Sequence, residues 1–243
     1  SPDGYGFATF TVAPAGTLTL AGKLPDGTAY TTGSYVGQQG QVLVNQLLYA
    51  NKGSLVGQFN LAAKTPVSST TLTGALTWNK PPITTETIYR IGFGPLNVTV
   101  EGGAYVAPLA GNRVMNLPAV TAPNTNAILA FSLGGLSESF NQTVRITNPS
   151  PTGLTNTSTL GTPVLNTTTM PVISAATGAF NGQFIIPGTT VALNRPAPFF
   201  GQIVKIGSTT QGYGYFLLPK VPVGTEKVTT SPKLSGVVEL KTP

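Results

Sequence analysis

The sequence predicts an all-β fold: two tandem antiparallel β-barrel or β-sandwich domains arising from a divergent internal duplication. Three observations predict it. Apolar residues alternate with small or polar ones through most of the chain, the pattern of strands with one buried face. Glycine and proline, 29 and 21 of 243 residues, punctuate that alternation at short intervals, and no stretch reads as a helix longer than a turn. Finally, Leu72-Thr73-Gly74-Ala75-Leu76-Thr77-Trp78 returns near the other end as Leu234-Ser235-Gly236-Val237-Val238-Glu239-Leu240, both reading L-[ST]-G-x-[LV]-x-[WL]. The central glycine of each copy lies on the apolar side, where something bulky must cross closely.

The elements follow in order. Ser1-Pro2-Asp3-Gly4 and Pro25-Asp26-Gly27 are turn signatures, proline fixing φ and glycine accepting positive φ. Between them Phe10 and Val12 alternate with Thr9 and Thr11, and Leu18, Leu20 and Leu24 keep one parity, which gives two strands joined across residues 13–16. Val42, Val44 and Leu48 follow a glycine turn, then Leu55, Phe59 and Leu61, then the motif at 72–78. Pro81-Pro82 removes two ladder donors and closes a first β-domain over residues 1–82.

Residues 83–126 are expected to be connecting strands and loops, with strands at 89–93 and 96–100 broken by Gly94-Pro95. A second β-domain occupies residues 127–243. There 127–133 and 139–146 read as a strand pair across Gly134-Gly135, with Leu129, Phe131, Val144 and Ile146 inward. Residues 147–169, rich in Thr, Asn, Ser and Pro, are expected to form an exposed loop with at most one short strand. Residues 176–184 answer 14–24, residues 199–206 answer 42–48, Gly212-Tyr213-Gly214-Tyr215-Phe216 answers 53–59, and 234–240 closes the copy. Gly4-Tyr5-Gly6-Phe7 also resembles Gly212-Tyr213-Gly214-Tyr215, which leaves the phase of the repeat open. Alternation does not separate barrel from sandwich, because both bury one face of each strand.

Composition bounds the chemistry. Charged residues make up 8% of the chain against roughly a quarter in ordinary soluble domains, so the surface is neutral and hydroxylated and offers little repulsion between copies. The net charge is +6, but the thirteen Lys and Arg are scattered singly, which argues against nucleic acid as a partner. Histidine and cysteine are absent; Ser-His-Asp and Cys-His catalysis, cysteine metal sites and disulfides are excluded with them. Asp3 and Asp26 precede glycine in turns and lack the surroundings of a calcium loop. Glu86 and Glu101 are the one carboxylate pair open to a glycosidase reading, if their strands are neighbours. No catalytic residue, metal site or cofactor is expected, and no apolar run approaches the ~20 residues of a membrane helix.

The segments G-x-[AF]-T-F-T-V, G-T-L-T-L-A-G-K-L-P-D-G-T, L-Y-A-N-K-G-S-L-V-G-Q-F and L-T-G-A-L-T-W-N-K-P, followed by T-G-A-F-N-G-Q-F and G-Y-G-Y-F-L-L-P, resemble a β-rich module in the C-terminal regions of very large exported bacterial surface proteins. The resemblance implies an extracellular or cell-surface setting, with any signal peptide already removed, and carries over no catalytic residue.

These readings converge on a non-enzymatic extracellular structural subunit whose partners are copies of itself, joined by packing of β-domains and by strand addition at open edges. The candidate assembly segments are residues 1–12 and 237–243, with Phe7, Phe10, Val12, Val238 and Leu240 as their apolar contacts. The alternative is a glycan-binding or adhesion module, with Trp78, Tyr213 and Tyr215 as stacking platforms. Against that stands the match of Trp78 to the core-facing Leu240.

Overall fold

The computed structural model describes residues 1–121, 123–146, 154–156, 164–165 and 172–243, and over them the chain is all-β. β1 (Phe7–Val12), β2 (Thr17–Lys23) and β3 (Ala29–Tyr35) form a three-stranded antiparallel sheet in chain order. β4 (Gln41–Leu48), β5 (Gly53–Ala62), β6 (Thr71–Lys80) and β7 (Phe93–Gly103) form a four-stranded meander. The two sheets face each other. Leu18 and Leu20 of β2 share a core with Val42, Val44, Leu55, Phe59, Leu76 and Trp78, and the rings of Phe10 and Phe59 lie 5.6 Å apart. Each such side chain contributes about 1.5–3 kcal/mol by leaving water. A one-residue slip would turn the whole set outward, which is what pins the register.

The rest of the chain builds one nine-stranded sheet from β8 (Ala127–Leu133), β9 (Phe140–Ile146), β10 (Leu154–Asn156), β11 (Val164–Leu165), β12 (Val172–Ile173), β13 (Ala179–Ile186), β14 (Arg195–Ile206), β15 (Thr209–Pro219) and β16 (Lys233–Lys241). Its order is β10-β9-β8-β16-β15-β14-β13-β11, with β12 also paired to β13. β8 and β13 are therefore four strand spacings apart, about 19 Å if the sheet were flat. The rings of Phe131 on β8 and Phe184 on β13 nevertheless lie 4.8 Å apart. The sheet is rolled into a half-barrel, and Leu129, Phe131, Val144 and Ile146 point into its core as the alternation requires.

The duplication is visible in the ladders. Phe59 pairs with Gly74 and Phe216 with Gly236; Gly57 pairs with Leu76 and Gly214 with Val238; Val42 pairs with Phe59 and Phe199 with Phe216. β4-β5-β6 and β14-β15-β16 are one meander used twice in the same register. The motif glycine has its reason in the phenylalanine opposite: a Cβ on Gly236 would overlap the Phe216 ring, and one on Gly74 would overlap the Phe59 backbone.

Three expectations change. β7 runs through Gly94-Pro95 and pairs with β6 along almost its whole length, so residues 83–126 supply a strand to the first half. Residues 89–92 form a turn instead of the strand expected at 89–93, closed by the Gly92 N–H donating to the Tyr89 carbonyl at 2.8 Å. Within 147–169, β10 and β11 are two short edge strands where at most one was expected; the remainder of that expected loop lies outside the described residues.

Candidate functional site

β6 carries Leu76, Trp78 and Lys80 on one parity, so the strand that buries a leucine and a tryptophan also turns a lysine inward. Lys80 is 2% exposed, and a buried ammonium must be paired. The turn between β2 and β3 supplies Asp26, whose side chain is wholly buried. Its Oδ1 accepts the Thr28 N–H at 3.0 Å, its Oδ2 accepts the Tyr49 hydroxyl at 2.7 Å, and the same Oδ2 lies 3.2 Å from Lys80 Nζ. Glu86, in the loop after Pro81-Pro82, brings Oε2 to 2.5 Å from Nζ with its side chain 39% exposed.

Tyr49 holds this cluster together. It begins a run of three non-glycine residues at positive φ, Tyr49 at 54°, Ala50 at 53° and Asn51 at 67°, in the tight connection from β4 to β5. Such backbone costs about 1–2 kcal/mol per residue. The return is a ring 4.4 Å from Lys80 Nζ and a hydroxyl that accepts the Trp78 indole N–H at 3.0 Å. Burial first, then the charge of Asp26, pushes the Tyr49 ionisation well above its ordinary value, so the hydroxyl remains a donor. Trp78 in turn meets Phe93 edge-on at 4.6 Å. The result is one ammonium between two carboxylates, walled by aromatic rings, tying the three-stranded sheet to the end of β6.

The second concentration of side chains lies where the halves meet. The two similar segments pack on each other: Tyr5 meets Tyr213 edge-on at 5.2 Å, Phe7 stacks on Tyr215 at 6.3 Å, and the Tyr5 N–H donates to the Gly214 carbonyl at 3.1 Å. Gly4, at φ +91°, is needed there, since a Cβ would overlap the Gly236 carbonyl and Tyr215. Ser235 Oγ donates to the Asp3 carbonyl at 2.7 Å, the Ser235 N–H donates to the Tyr89 hydroxyl at 3.0 Å, and Lys23 Nζ sits 4.1 Å over the Phe200 ring. Tyr215 is 0% exposed, yet its hydroxyl has no hydrogen-bond partner.

These placements revise several expected sites. Trp78 and Tyr215 are buried, the one in the sandwich core and the other between the halves, so neither presents a face to a sugar. Tyr213 is half-buried beside Tyr5, which is 44% exposed. Val238 and Leu240 are core residues of β16, whose two edges are already occupied by β15 and β8; residues 237–243 are not a free donor segment. Phe10 packs against Phe59, Phe7 against Tyr215, and Val12 is 39% exposed at the end of β1, which is paired with β2. Glu101 lies opposite Thr73 while Glu86 reaches Lys80 at the far end of β6, roughly 20 Å away by strand rise. That is well beyond the ~5–10 Å of a glycosidase pair.

Lys80 had no place in the sequence-based site, although the parity of Leu76, Trp78 and Lys80 carried the signal. Among the described residues no three carboxylates gather to hold a metal ion, and no helix is long and apolar enough to cross a membrane.

One surface stands apart from both clusters. The outward side chains of the four-stranded sheet are Leu43, Asn45 and Leu47 on β4, Val56, Gln58 and Asn60 on β5, Thr73, Ala75 and Thr77 on β6, and Asn97, Thr99 and Glu101 on β7. All are exposed, and Glu101 alone is ionisable. No family model matches the chain, and comparison with curated proteins and with solved structures found no match.

Proposed function

We propose that the chain is a structural subunit of an extracellular assembly, and that its copies pack through the outer face of β4–β7. The observation that carries this reading is the composition of that face: an exposed sheet surface with a single charge, bearing Leu43, Leu47 and Val56 along one side and mostly Asn, Gln and Thr over the rest. Ordinary protein surfaces keep copies apart by charge and by breaking apolar patches. This one does neither, and a neutral face is complementary to a second copy of itself. The two-sheet first half supplies a rigid support, and the aromatic junction ties it to the half-barrel. The resemblance to modules of exported surface proteins supports the extracellular setting. Strand donation by β16 drops out of the mechanism, and face packing replaces it.

The test is sedimentation over a wide concentration range for the wild type and for Val56→Lys/Thr77→Lys. The wild type dimerises as concentration rises, while the variant sediments as a monomer with an unchanged circular dichroism spectrum. A monomeric wild type at every concentration rejects the reading. The glycan-binding alternative retains only Tyr213 of its candidates, half-buried against the exposed Tyr5 ring; glycan-dependent quenching of tyrosine fluorescence that Tyr213→Ala abolishes would favour it.

A further inference from the structure

We propose that Lys80 and Asp26 condense into an intramolecular amide, a covalent staple between the two sheets of the first half, with Glu86 as the proton carrier. Three features of the cluster point there. The two groups are already in contact, Nζ lying 3.2 Å from Oδ2, though 54 residues apart in sequence. Water is excluded from both, with Lys80 2% exposed and the Asp26 side chain 0%, so hydrolysis of the product is suppressed. The Asp26 carboxyl is also gripped at both oxygens, by the Thr28 N–H at 3.0 Å and the Tyr49 hydroxyl at 2.7 Å, donors suited to polarise it and to hold the oxygen charge that develops on attack.

The step balances without an external reagent. A proton passes from the Lys80 ammonium to Asp26 Oδ2 along their 3.2 Å contact, leaving an amine and a carboxylic acid with no change in total charge. The Nζ lone pair attacks Cγ and the C–N bond forms. Glu86, 2.5 Å from Nζ, accepts the second amine proton and returns it to the Oδ2 hydroxyl, which leaves as water as the C–O bond breaks. Glu86 ends as it began, and its 39% exposure gives the water a way out. The amide oxygen of the product is Oδ1, which keeps the Thr28 N–H, and the amide N–H faces Glu86; the Tyr49 hydroxyl, which donates to the departing Oδ2, supports the leaving group. Two buried charges, each costing several kcal/mol to desolvate, are removed. In a chain without cysteine this is a covalent cross-link that needs no oxidant.

Intact-mass spectrometry of the full chain, folded and then denatured, tests it. The expected mass is that of the sequence less one water, with a digest fragment joining the Lys80 and Asp26 peptides. Lys80→Arg restores the full sequence mass, and Glu86→Gln, at a half-exposed position that leaves the fold intact, lowers the cross-linked fraction at least tenfold at equal age. Full sequence mass in the wild type, even after prolonged warming, overturns the proposal; it needs no variant to fold. Joining of Lys80 to Glu86 instead of Asp26 overturns the assignment, and complete cross-linking in Glu86→Gln overturns the role of Glu86.

Discussion

Tyr215→Phe is expected to stabilise the protein, against the usual sign of a core substitution. Tyr215 is fully buried at the junction of the halves, its ring lies against Phe7 and Phe200, and its hydroxyl has no partner. A buried polar group left unpaired costs about 1–3 kcal/mol. Deleting the oxygen vacates about 10 Å³, which at ~24 cal/mol per Å³ costs about 0.3 kcal/mol. The ring contacts are unchanged, so the net gain is about 0.7–2.7 kcal/mol. In urea, with a slope of about 3 kcal/mol per M, the midpoint rises by about 0.2–0.9 M. The assay follows Trp78 fluorescence from the first half and far-UV circular dichroism from the whole chain. Coincident curves with an unchanged slope license the conversion to free energy. Tyr49→Phe is the control of opposite sign, because its hydroxyl both donates to Asp26 and accepts from Trp78. A loss of 1 kcal/mol or more in Tyr215→Phe would refute the reasoning and mean that the hydroxyl is satisfied, by an ordered water reaching Asp26.

Other consequences can be checked on the same preparations. Gly74→Ala and Gly236→Ala each force a Cβ into the phenylalanine opposite and should cost about 1–3 kcal/mol or more. Gly236→Ala is the one partly rescued by a smaller partner in Phe216→Leu, since Gly74 meets Phe59 backbone that cannot be trimmed; equal rescue at both sites by urea unfolding would contradict the geometry. Raising pH past 10 should destabilise the fold. Burial pushes Tyr30 up to about 12, and burial followed by the Asp26 charge pushes Tyr49 and Tyr215 higher still. The unfolded chain releases these protons from pH 10 upward while the folded one keeps them, so stability is fully present below pH 10 and is lost above it. The slope approaches about 1.4 kcal/mol per pH unit for each tyrosine, and a flat stability profile from pH 10 to 12 would contradict the burial. Asn45→Lys/Thr77→Lys should leave the unfolding free energy within about 0.5 kcal/mol of wild type, because both side chains point to solvent, while abolishing self-association in sedimentation.

Much of the fold was legible because short antiparallel strands write their register into alternation. Leu129, Phe131, Val144 and Ile146 were read inward and are buried, and the repeated L-[ST]-G motif marked a meander that recurs in the same register. β3 is written in the sequence only as a strand leaving the Pro25-Asp26-Gly27 turn: Ala-Tyr-Thr-Thr-Gly-Ser-Tyr has too little apolar contrast to mark its extent, which the ladder to β2 sets. In β7, Gly94-Pro95 looks like a break between two strands. The strand absorbs that pair at an irregularity in its pairing with β6, between Trp78 and Lys80. Barrel and sandwich were inseparable because curl is set by which rings converge across non-neighbouring strands, as Phe131 and Phe184 do, and alternation carries no such information. The buried cluster was half-written in the sequence. Lys80 shared the parity of Trp78, but Asp26 read as an ordinary turn carboxylate, and only the packing of one sheet on the other brings the two together.

Electron microscopy of the purified chain at increasing concentration, beside Val56→Lys/Thr77→Lys, tests the central claim most directly. The account predicts wild-type particles paired through the outer faces of β4–β7, the unit from which any larger assembly is built, and unpaired particles from the variant. Unpaired particles of wild type at every concentration, or pairing that the two lysines leave intact, would contradict it.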